Sequence, residues 1–376
     1  MKVLQLGKFY PIRGGVEKVM WNLTRGISAQ GTDCDMLCAC LKEDMPEGGE
    51  IRFNGHGRVI CVPALTRKAA TMISPAMVGW LRRHCGEYDV IHVHHPDPMA
   101  ALALFLSGYK GRVFLHWHSD ILKQKFLLTF YKPLQSWLIR RAEKIVGTTP
   151  VYVAQSPYLQ KVQGKVTYVP IGVEPVRYDV DVSNSLRARF PGKRIVFSLG
   201  RLVGYKGYKY LVEAASLLPD DYVVIIGGEG PLREELEAQI AALCLQDKVI
   251  LAGYLPQEDA AAWFGACDVY VMSSIWKTEA FGIVQIEAMS CGKPVVATNI
   301  LESGVSWVNE HGVSGLNAEV EDSASLAGAI LEITSNNDIF AHFSTNALAR
   351  FRRLFTLEAM IGGMLDLYSS TEKRNK

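Results

Sequence analysis

Short runs rich in β-branched residues alternate with helical patterns along the whole chain, and this alternation narrows the fold more than any other feature. In the first half, strand candidates lie at residues 3–6, 35–40, 59–62, 90–94, 113–116, 145–147 and 166–169. In the second half they lie at 195–199, 222–226, 249–252, 269–272 and 294–297. Between the first two strands, Val16, Val19, Met20, Leu23 and Ile27 fall on one helical face. Helical patterns at 207–218, 232–243, 259–266 and 283–289 separate the later strands. A repeated β-α-β order means parallel strands with helices on both faces. The 376 residues exceed one ordinary core and suit two domains. Pro170-Ile-Gly172-Val-Glu-Pro175 punctuates the chain after a strand and marks the boundary.

Composition excludes several classes. With 49% hydrophobic and 21% charged residues, the chain buries substantial cores and is not disordered. A net charge of +2 supplies no drive toward nucleic acid. The longest apolar run, residues 99–106, falls far short of the ~20 residues that span a bilayer. The opening Met-Lys-Val-Leu-Gln-Leu-Gly reads as a first strand rather than a signal peptide. Eight cysteines, none in Cys-x-x-Cys spacing, read as reduced, buried thiols of a cytosolic protein.

Residues 274–298 concentrate the chemistry. Glu279 and Glu287 stand eight positions apart, with Phe281-Gly282-Ile283 between them opening a helix. Gly292 and Pro294 stop that helix, and a β-branched strand follows. The exposed amides of a first helical turn attract phosphate oxygens. A carboxylate further along can accept hydrogen bonds from paired sugar hydroxyls. These parts together suit a nucleotide-sugar.

This stretch, with Ser273-Ser274 upstream, resembles the donor-site signature of retaining glycosyltransferases of glycosyltransferase family 4. The resemblance implies an α/β, GT-B fold: two Rossmann-like, doubly wound parallel-sheet domains facing a cleft. Residues 1–172 would bind the acceptor and 173–355 the nucleotide-sugar, with a C-terminal helix at about 356–376 crossing back to the first domain.

Other segments carry the same resemblance. Arg201 and Lys206, in Gly-Arg-Leu-Val-Gly-Tyr-Lys-Gly between a strand end and a helix start, match the family's cationic pair. Two cations there can neutralise a diphosphate and stabilise its growing charge. The family assigns Glu287 to the ribose hydroxyls and Glu279 to the transferred sugar. Phe281, Gly282 and Ile283 would offer backbone amides to sugar and phosphate, and Gly228, in a Gly-rich turn, would flank the nucleotide. Gly14 and Gly15 follow the first strand, and their spacing is not the dinucleotide fingerprint. Family members carry such a pair near the donor diphosphate and the acceptor.

His118, in His116-Trp117-His118-Ser119-Asp120, resembles the family's histidine segment, where the histidine contacts the donor hexose. A hydrolase triad through His118 and Asp120 lacks a Gly-x-Ser-x-Gly elbow. A metal held by His116 and His118 with His92, His94 and His95 is the other competing reading. GT-B enzymes generally need no metal for chemistry, so neither metal nor cofactor is expected. The segment Ser303-Gly304-Val-Ser-Trp307-Val-Asn309 replaces the glycine pair and acidic residue that many relatives carry, and looks like a feature of bacterial surface-polysaccharide transferases.

The resulting reading is a retaining, metal-independent hexosyltransferase. It would move mannose from GDP-mannose, or a hexose from a UDP-hexose, onto a glycolipid or oligosaccharide in lipopolysaccharide or surface-polysaccharide assembly. The catalytic set would be Glu279, His118, Arg201 and Lys206. Gly14, Gly15, Asp120, Gly228, Phe281, Gly282, Ile283 and Glu287 would bind substrates. Alternatives are a GT-B nucleotide-sugar epimerase and a non-catalytic nucleotide-sugar-binding protein. Basic and aromatic residues mix in Trp80-Leu-Arg82-Arg83-His84, in 123–128, in Tyr131-Lys132 and at Arg140-Arg141. Such mixtures suit anionic lipid headgroups, so a cytoplasmic enzyme peripheral to the inner membrane surface is expected.

Overall fold

The computed structural model describes residues 1–12, 14–68, 71–121 and 125–370. The chain forms two compact units: Met1–Gly172 together with Leu357–Lys376, and Val173–Thr356.

Unit 1 begins with β1 (Lys2–Phe9), α1 (Gly15–Ala29), β2 (Asp33–Cys40), β3 (Glu50–Asn54) and β4 (Gly57–Pro63). A two-stranded hairpin, β5 (Thr66–Lys68) and β6 (Thr71–Ile73), precedes α2 (Pro75–His84). Then come β7 (Val90–His95), α3 (Pro98–Ser107), β8 (Arg112–Trp117), α4 (Lys125–Arg141), β9 (Lys144–Gly147), α5 (Pro150–Gln155) and β10 (Val166–Tyr168). Ser74-Pro75, Asp97-Pro98 and Thr149-Pro150 each join a capping side-chain oxygen to a proline in the first helical turn. Those pairs fix where α2, α3 and α5 begin.

Among the described residues the main sheet of unit 1 has eight strands in the order β10-β9-β8-β7-β1-β2-β4-β3. All neighbours run parallel except β3, which pairs antiparallel with β4. The parallel-sheet expectation holds, and β3, a half-exposed edge strand outside the sequence reading, returns directly into β4. Register places Gln5 beside His92, and His94 beside His116, so all four point to one sheet face.

Unit 2 contains α6 (Val180–Ala188), β11 (Arg194–Leu199), α7 (Tyr208–Leu217), β12 (Tyr222–Gly227), α8 (Arg233–Ala242), β13 (Val249–Gly253) and α9 (Gln257–Ala266). There follow β14 (Val269–Met272), α10 (Ile283–Ser290), β15 (Val295–Thr298), α11 (Val305–Val308), β16 (Gly315–Ala318), α12 (Ser323–Ile333) and α13 (Asn337–Leu354). Its described strands form a six-stranded, all-parallel sheet in the order β13-β12-β11-β14-β15-β16. Val196, Val224, Ile226, Val269, Val271 and Val296 build a dry core against Leu211, Leu236, Leu326 and Ile330. Such strands, buried on both faces, explain the near-continuous apolar runs.

The last helix, α14 (Leu357–Ser370), belongs to unit 1. It packs so close to α1 that a Cβ on Gly26 would lie 1.9 Å from Ile361 Cδ1. The cysteines are free, and the expectation of buried thiols fails at Cys244, which is exposed.

Candidate active site

Strand order reverses between β11 and β14 in unit 2, and between β1 and β7 in unit 1. Loops leaving the carboxyl ends of strands at such a reversal diverge and leave room for a ligand.

In unit 2 the two diverging loops are locked together. Gly207 has φ of +65°, and a Cβ there would lie 2.1 Å from the Ser273 carbonyl oxygen. Ser273 Oγ donates to the Lys206 carbonyl at 2.9 Å, and Ile275 N donates to the Tyr205 carbonyl at 2.8 Å. This contact delivers Lys206 Nζ to within 2.6 Å of Glu279 Oε2, each side chain only 14% exposed. Ser274 Oγ also reaches Glu279 Oε2, at 3.4 Å. Burial works to lower the Lys206 ammonium, but the attraction and hydrogen bond of Glu279, together with Tyr208 and Tyr205, outweigh it and leave Lys206 above its ordinary value. The result is a close ion pair in a partly dehydrated pocket.

Next to the pair, α10 begins at Gly282, a left-handed residue with φ of +75° and no side-chain cap. Its leading amides are therefore not occupied by a capping oxygen. Phe281 turns its ring inward, 5.9 Å from Phe355 and edge to face, so only its backbone is available to a ligand. Glu287 lies half-buried one turn along α10.

Arg201 and Lys206 both meet Tyr205, whose ring lies 5.6 Å from Lys206 Nζ. The Arg201 guanidinium is exposed and donates to Tyr205 Oη at 3.2 Å. Gly228 serves packing: at its φ of +131° a Cβ would fall 1.9 Å from the Gly200 carbonyl oxygen. The 299–309 loop braces the site from behind. Ser303 Oγ donates to the Glu279 carbonyl at 2.5 Å, and Gly304 N donates to the Ala280 carbonyl at 3.0 Å.

In unit 1 the reversal is occupied by Lys8 and Asp97, which sequence reasoning missed. Lys8 is left-handed, with φ of 57°, an uncommon conformation for a residue with a Cβ. Its amide donates to Asp97 Oδ2, and its ammonium donates to the Pro96 carbonyl at 2.5 Å. Asp97 Oδ1 caps α3 by accepting from Met99 N at 3.0 Å and Ala100 N at 3.1 Å. Burial lowers Lys8 and raises Asp97, and in each case it outweighs their mutual attraction. Gly14 precedes α1 with φ of −114°, and a Cβ there would meet only the Glu17 side chain, 2.1 Å from Oε2. Gly15 is the exposed first residue of α1.

His118 lies just past β8, 5% exposed, its Nε2 2.8 Å from His94 Nδ1. Burial holds both rings well below the ordinary histidine value, so they are neutral. Asp120 is drawn into the scaffold: Oδ1 accepts from Trp117 Nε1 at 2.9 Å and from Ser156 Oγ at 2.7 Å. These bonds tie the loop that carries His118 to β8 and to Ser156.

The nitrogens of His92, His94 and His116 lie within 4.8 Å of one another, which raises the question of a metal. Zinc holds imidazole nitrogens at about 2.0–2.1 Å in a tetrahedron. Here the rings stack, His92 on His116 at 15° and His94 on His116 at 21°, so their lone pairs lie in nearly parallel planes and do not converge. Both nitrogens of His94 are already bonded, to His118 and to Gln5. The residues present do not fit a metal ion.

Residues 13–177 match the family described as Glycosyltransferase Family 4, and residues 186–350 match Glycosyl transferases group 1. The O-antigen chain mannosyltransferase C of Escherichia coli is 32% identical, over 98% of this chain and 98% of its own. The chain belongs to glycosyltransferase family 4. This glycosyltransferase is also 32% identical to the D-rhamnosyltransferase WbpZ of Pseudomonas aeruginosa, over 95% of this chain and 92% of the relative. A sucrose-phosphate synthase from Thermosynechococcus elongatus, 21% identical, covers 100% of both chains with a TM-score of 0.81. That likeness shows the shared GT-B fold. Sequence pattern found Lys206 and Glu279 in this glycosyltransferase, but no motif signalled Lys8 or Asp97, and the Ser303–Asn309 motif did not say that Ser303 reaches Glu279. Their partners lie 89 and 24 residues away in sequence, and only the topology brings them together.

Proposed function

We propose that the enzyme transfers a hexose, with retention, from a nucleoside diphosphate sugar to a hydroxyl of a glycolipid or oligosaccharide in bacterial surface-polysaccharide assembly. The observation that carries this reading is the Lys206–Glu279 pair at the strand reversal of unit 2, beside the uncapped start of α10. Lys206 and the α10 amides would bind the diphosphate, with Arg201 swinging in from its exposed position. Lys206 would also stabilise the charge that grows on the leaving phosphate, which takes the acceptor proton. Glu279 would meet the sugar and Glu287 the ribose hydroxyls. Phe281, Gly282 and Ile283 would contribute backbone, and Gly228 would shape the nucleotide pocket. His118 and the Gly14-Gly15 turn would serve carbohydrate binding in unit 1.

The mannosyl and rhamnosyl relatives favour GDP-mannose as the donor over a UDP-hexose. Incubation with each donor and a lipid-linked oligosaccharide, read by mass spectrometry, tests the reading. One added hexose in the α configuration from GDP-mannose is expected. Free epimerised donor without acceptor, or no product from any donor, would contradict it.

We further infer peripheral association with an anionic membrane surface. No helix among the described residues is long and apolar enough to cross a membrane. Adjacent helices α2, α3 and α4 contain no Asp or Glu. Leu102, Phe105 and Leu106 are 38%, 49% and 46% exposed on α3. Phe105 packs edge to face on Trp137 of α4 at 5.0 Å, and Arg82, Arg83 and Arg140 are exposed nearby on α2 and α4. Apolar side chains rimmed by cations suit a headgroup layer. Of the basic run 123–128, residues 123 and 124 and the side chains of 125–128 lie outside the described residues. Co-sedimentation with phosphatidylglycerol vesicles at low salt, weakened by Phe105→Glu, is expected. Absence of binding at low salt would refute it.

A further inference from the structure

We propose that Gln5 and Tyr368 are positioning residues that hold His118 in one tautomer, protonated at Nε2 and bare at Nδ1, so that Nδ1 offers a hydrogen-bond acceptor to a substrate hydroxyl. The last clause rests on the carbohydrate-binding reading of unit 1; the tautomer itself does not.

Four fully buried side chains from β1, β7 and α14 lead to His118. Gln5 Oε1 lies 2.7 Å from His94 Nε2. Gln5 Nε2 lies 3.3 Å from Tyr368 Oη and 3.8 Å from Cys34 Sγ. Tyr368 Oη lies 2.6 Å from His92 Nδ1. His94 Nδ1 lies 2.8 Å from His118 Nε2. Gln5, His92, His94 and Tyr368 are each 0% exposed, so water does not reach them from the surface.

The amide of Gln5 decides the direction of the chain. An amide has one acceptor and two N–H donors. With its oxygen toward His94, the oxygen accepts from His94 Nε2–H, and the two N–H groups reach Tyr368 Oη and Cys34 Sγ. Every polar atom of the amide is then paired. The reversed amide would turn an N–H toward His94 and the oxygen toward Tyr368 and Cys34, which is not the orientation the structure holds. Tyr368, accepting from Gln5, donates its own O–H to His92 Nδ1, which leaves the His92 proton on Nε2, buried and without a partner. His94, protonated at Nε2 and neutral, presents a bare Nδ1. His118 must donate to it from Nε2.

A neutral His118 is then bare at Nδ1, the edge away from the network, and among the described residues nothing bonds to that atom. Ring rotation is opposed by His116, stacked on His118 at 4.1 Å and 4°. Gln5 and Tyr368 are 363 residues apart, so the strand that starts unit 1 and the helix that closes it jointly set this proton. A bare Nδ1 recognises a hydroxyl by accepting from it. It cannot protonate a leaving group, which removes general acid catalysis from the roles open to His118.

The test is long-range nitrogen–proton correlation on the ligand-free, histidine-labelled protein at neutral pH. His94 and His118 are expected to carry the signature of a protonated Nε2 and a bare Nδ1. In Tyr368→Phe and Gln5→Leu, His118 is expected to become a tautomer mixture, with nucleotide affinity unchanged and kcat/KM for sugar transfer down about tenfold, the worth of one hydrogen bond. A purely structural role would lower stability without moving the tautomer. A His118 protonated at Nδ1, or a tautomer unmoved in both variants, overturns the proposal. An Nε2 tautomer in a protein that transfers no sugar from any donor leaves the positioning intact and refutes the functional reading instead.

Discussion

Each sheet reverses its strand order once at a lysine and a carboxylate, and the two pairs are in opposite electrostatic condition. In unit 2 the Lys206 ammonium touches Glu279, and attraction overrides burial. In unit 1 burial overrides attraction at both Lys8 and Asp97, and each moves toward its neutral form. Lys8 spends its ammonium on a carbonyl, and Asp97 spends its carboxylate on backbone amides. The same topology therefore yields one pair joined by a direct ion pair and one whose members are bonded to the backbone. A lysine held at a pocket by a carboxylate suits a diphosphate, and a pair bonded to the backbone leaves unit 1 to recognise a hydroxyl-bearing ligand through other groups.

The contrast extends into the cores. Unit 2 packs its strands with valine, isoleucine and leucine. Unit 1 buries His92, His94, His95, His116 and His118 on and beside its central strands. Burial holds all five below the ordinary value, with His95 and His116 lowered to about 3. An unfolded chain binds protons on histidine from about pH 6.5 downward, while the folded core refuses them. Stability is therefore full above that pH and falls as pH falls, until the folded rings themselves titrate. Five such groups would remove about 7 kcal/mol per pH unit well below 6.5, comparable to the whole stability of an ordinary domain. Hydrogen exchange between pH 7 and 5 should show β7 and β8 losing protection before β11 and β12. Loss in the opposite order would break the comparison.

Activity gives the next largest effect. Lys206→Ala strands a partly buried carboxylate and removes the cation from the diphosphate site. It should lower kcat/KM by about 10²–10³-fold and weaken nucleotide binding in calorimetry. Lys8→Ala should leave nucleotide affinity unchanged and raise the KM for acceptor. Equal loss of nucleotide affinity in both would erase the distinction between the sites.

A smaller effect separates the glycines. Gly207→Ala forces a Cβ against the Ser273 backbone at a left-handed position, and should cost about 1–3 kcal/mol in denaturant unfolding. Gly14→Ala meets only the movable Glu17 side chain and should cost less. A Gly207→Ala protein as stable as the wild type would mean that the two loops are not locked.

How much of this was legible in the sequence follows from range. The parallel sheets were readable because β-branched runs and turn residues are local signals. β16 escaped because Gly315-Leu-Asn-Ala is four residues long and holds one bulky apolar side chain. β3 escaped because it is a half-exposed edge rich in polar residues. Lys206 and Glu279 were named from motifs, but their contact at a distance of 73 residues was not. Asp120 carries a motif resemblance, yet Trp117 and Ser156 claim its oxygen. Lys8 and Asp97 have no motif and acquire meaning only where the strand order reverses.

The most direct measurement is hydrogen exchange of the protein with GDP, with UDP and with neither, each with and without EDTA. With one nucleotide, and regardless of EDTA, exchange should slow in residues 200–207 and in the first turn of α10, while the loops after β1 and β7 stay unchanged. No slowing in unit 2 with either nucleotide at millimolar concentration, or slowing confined to the unit 1 loops, would contradict the assignment of the Lys206–Glu279 pair to the nucleotide-sugar.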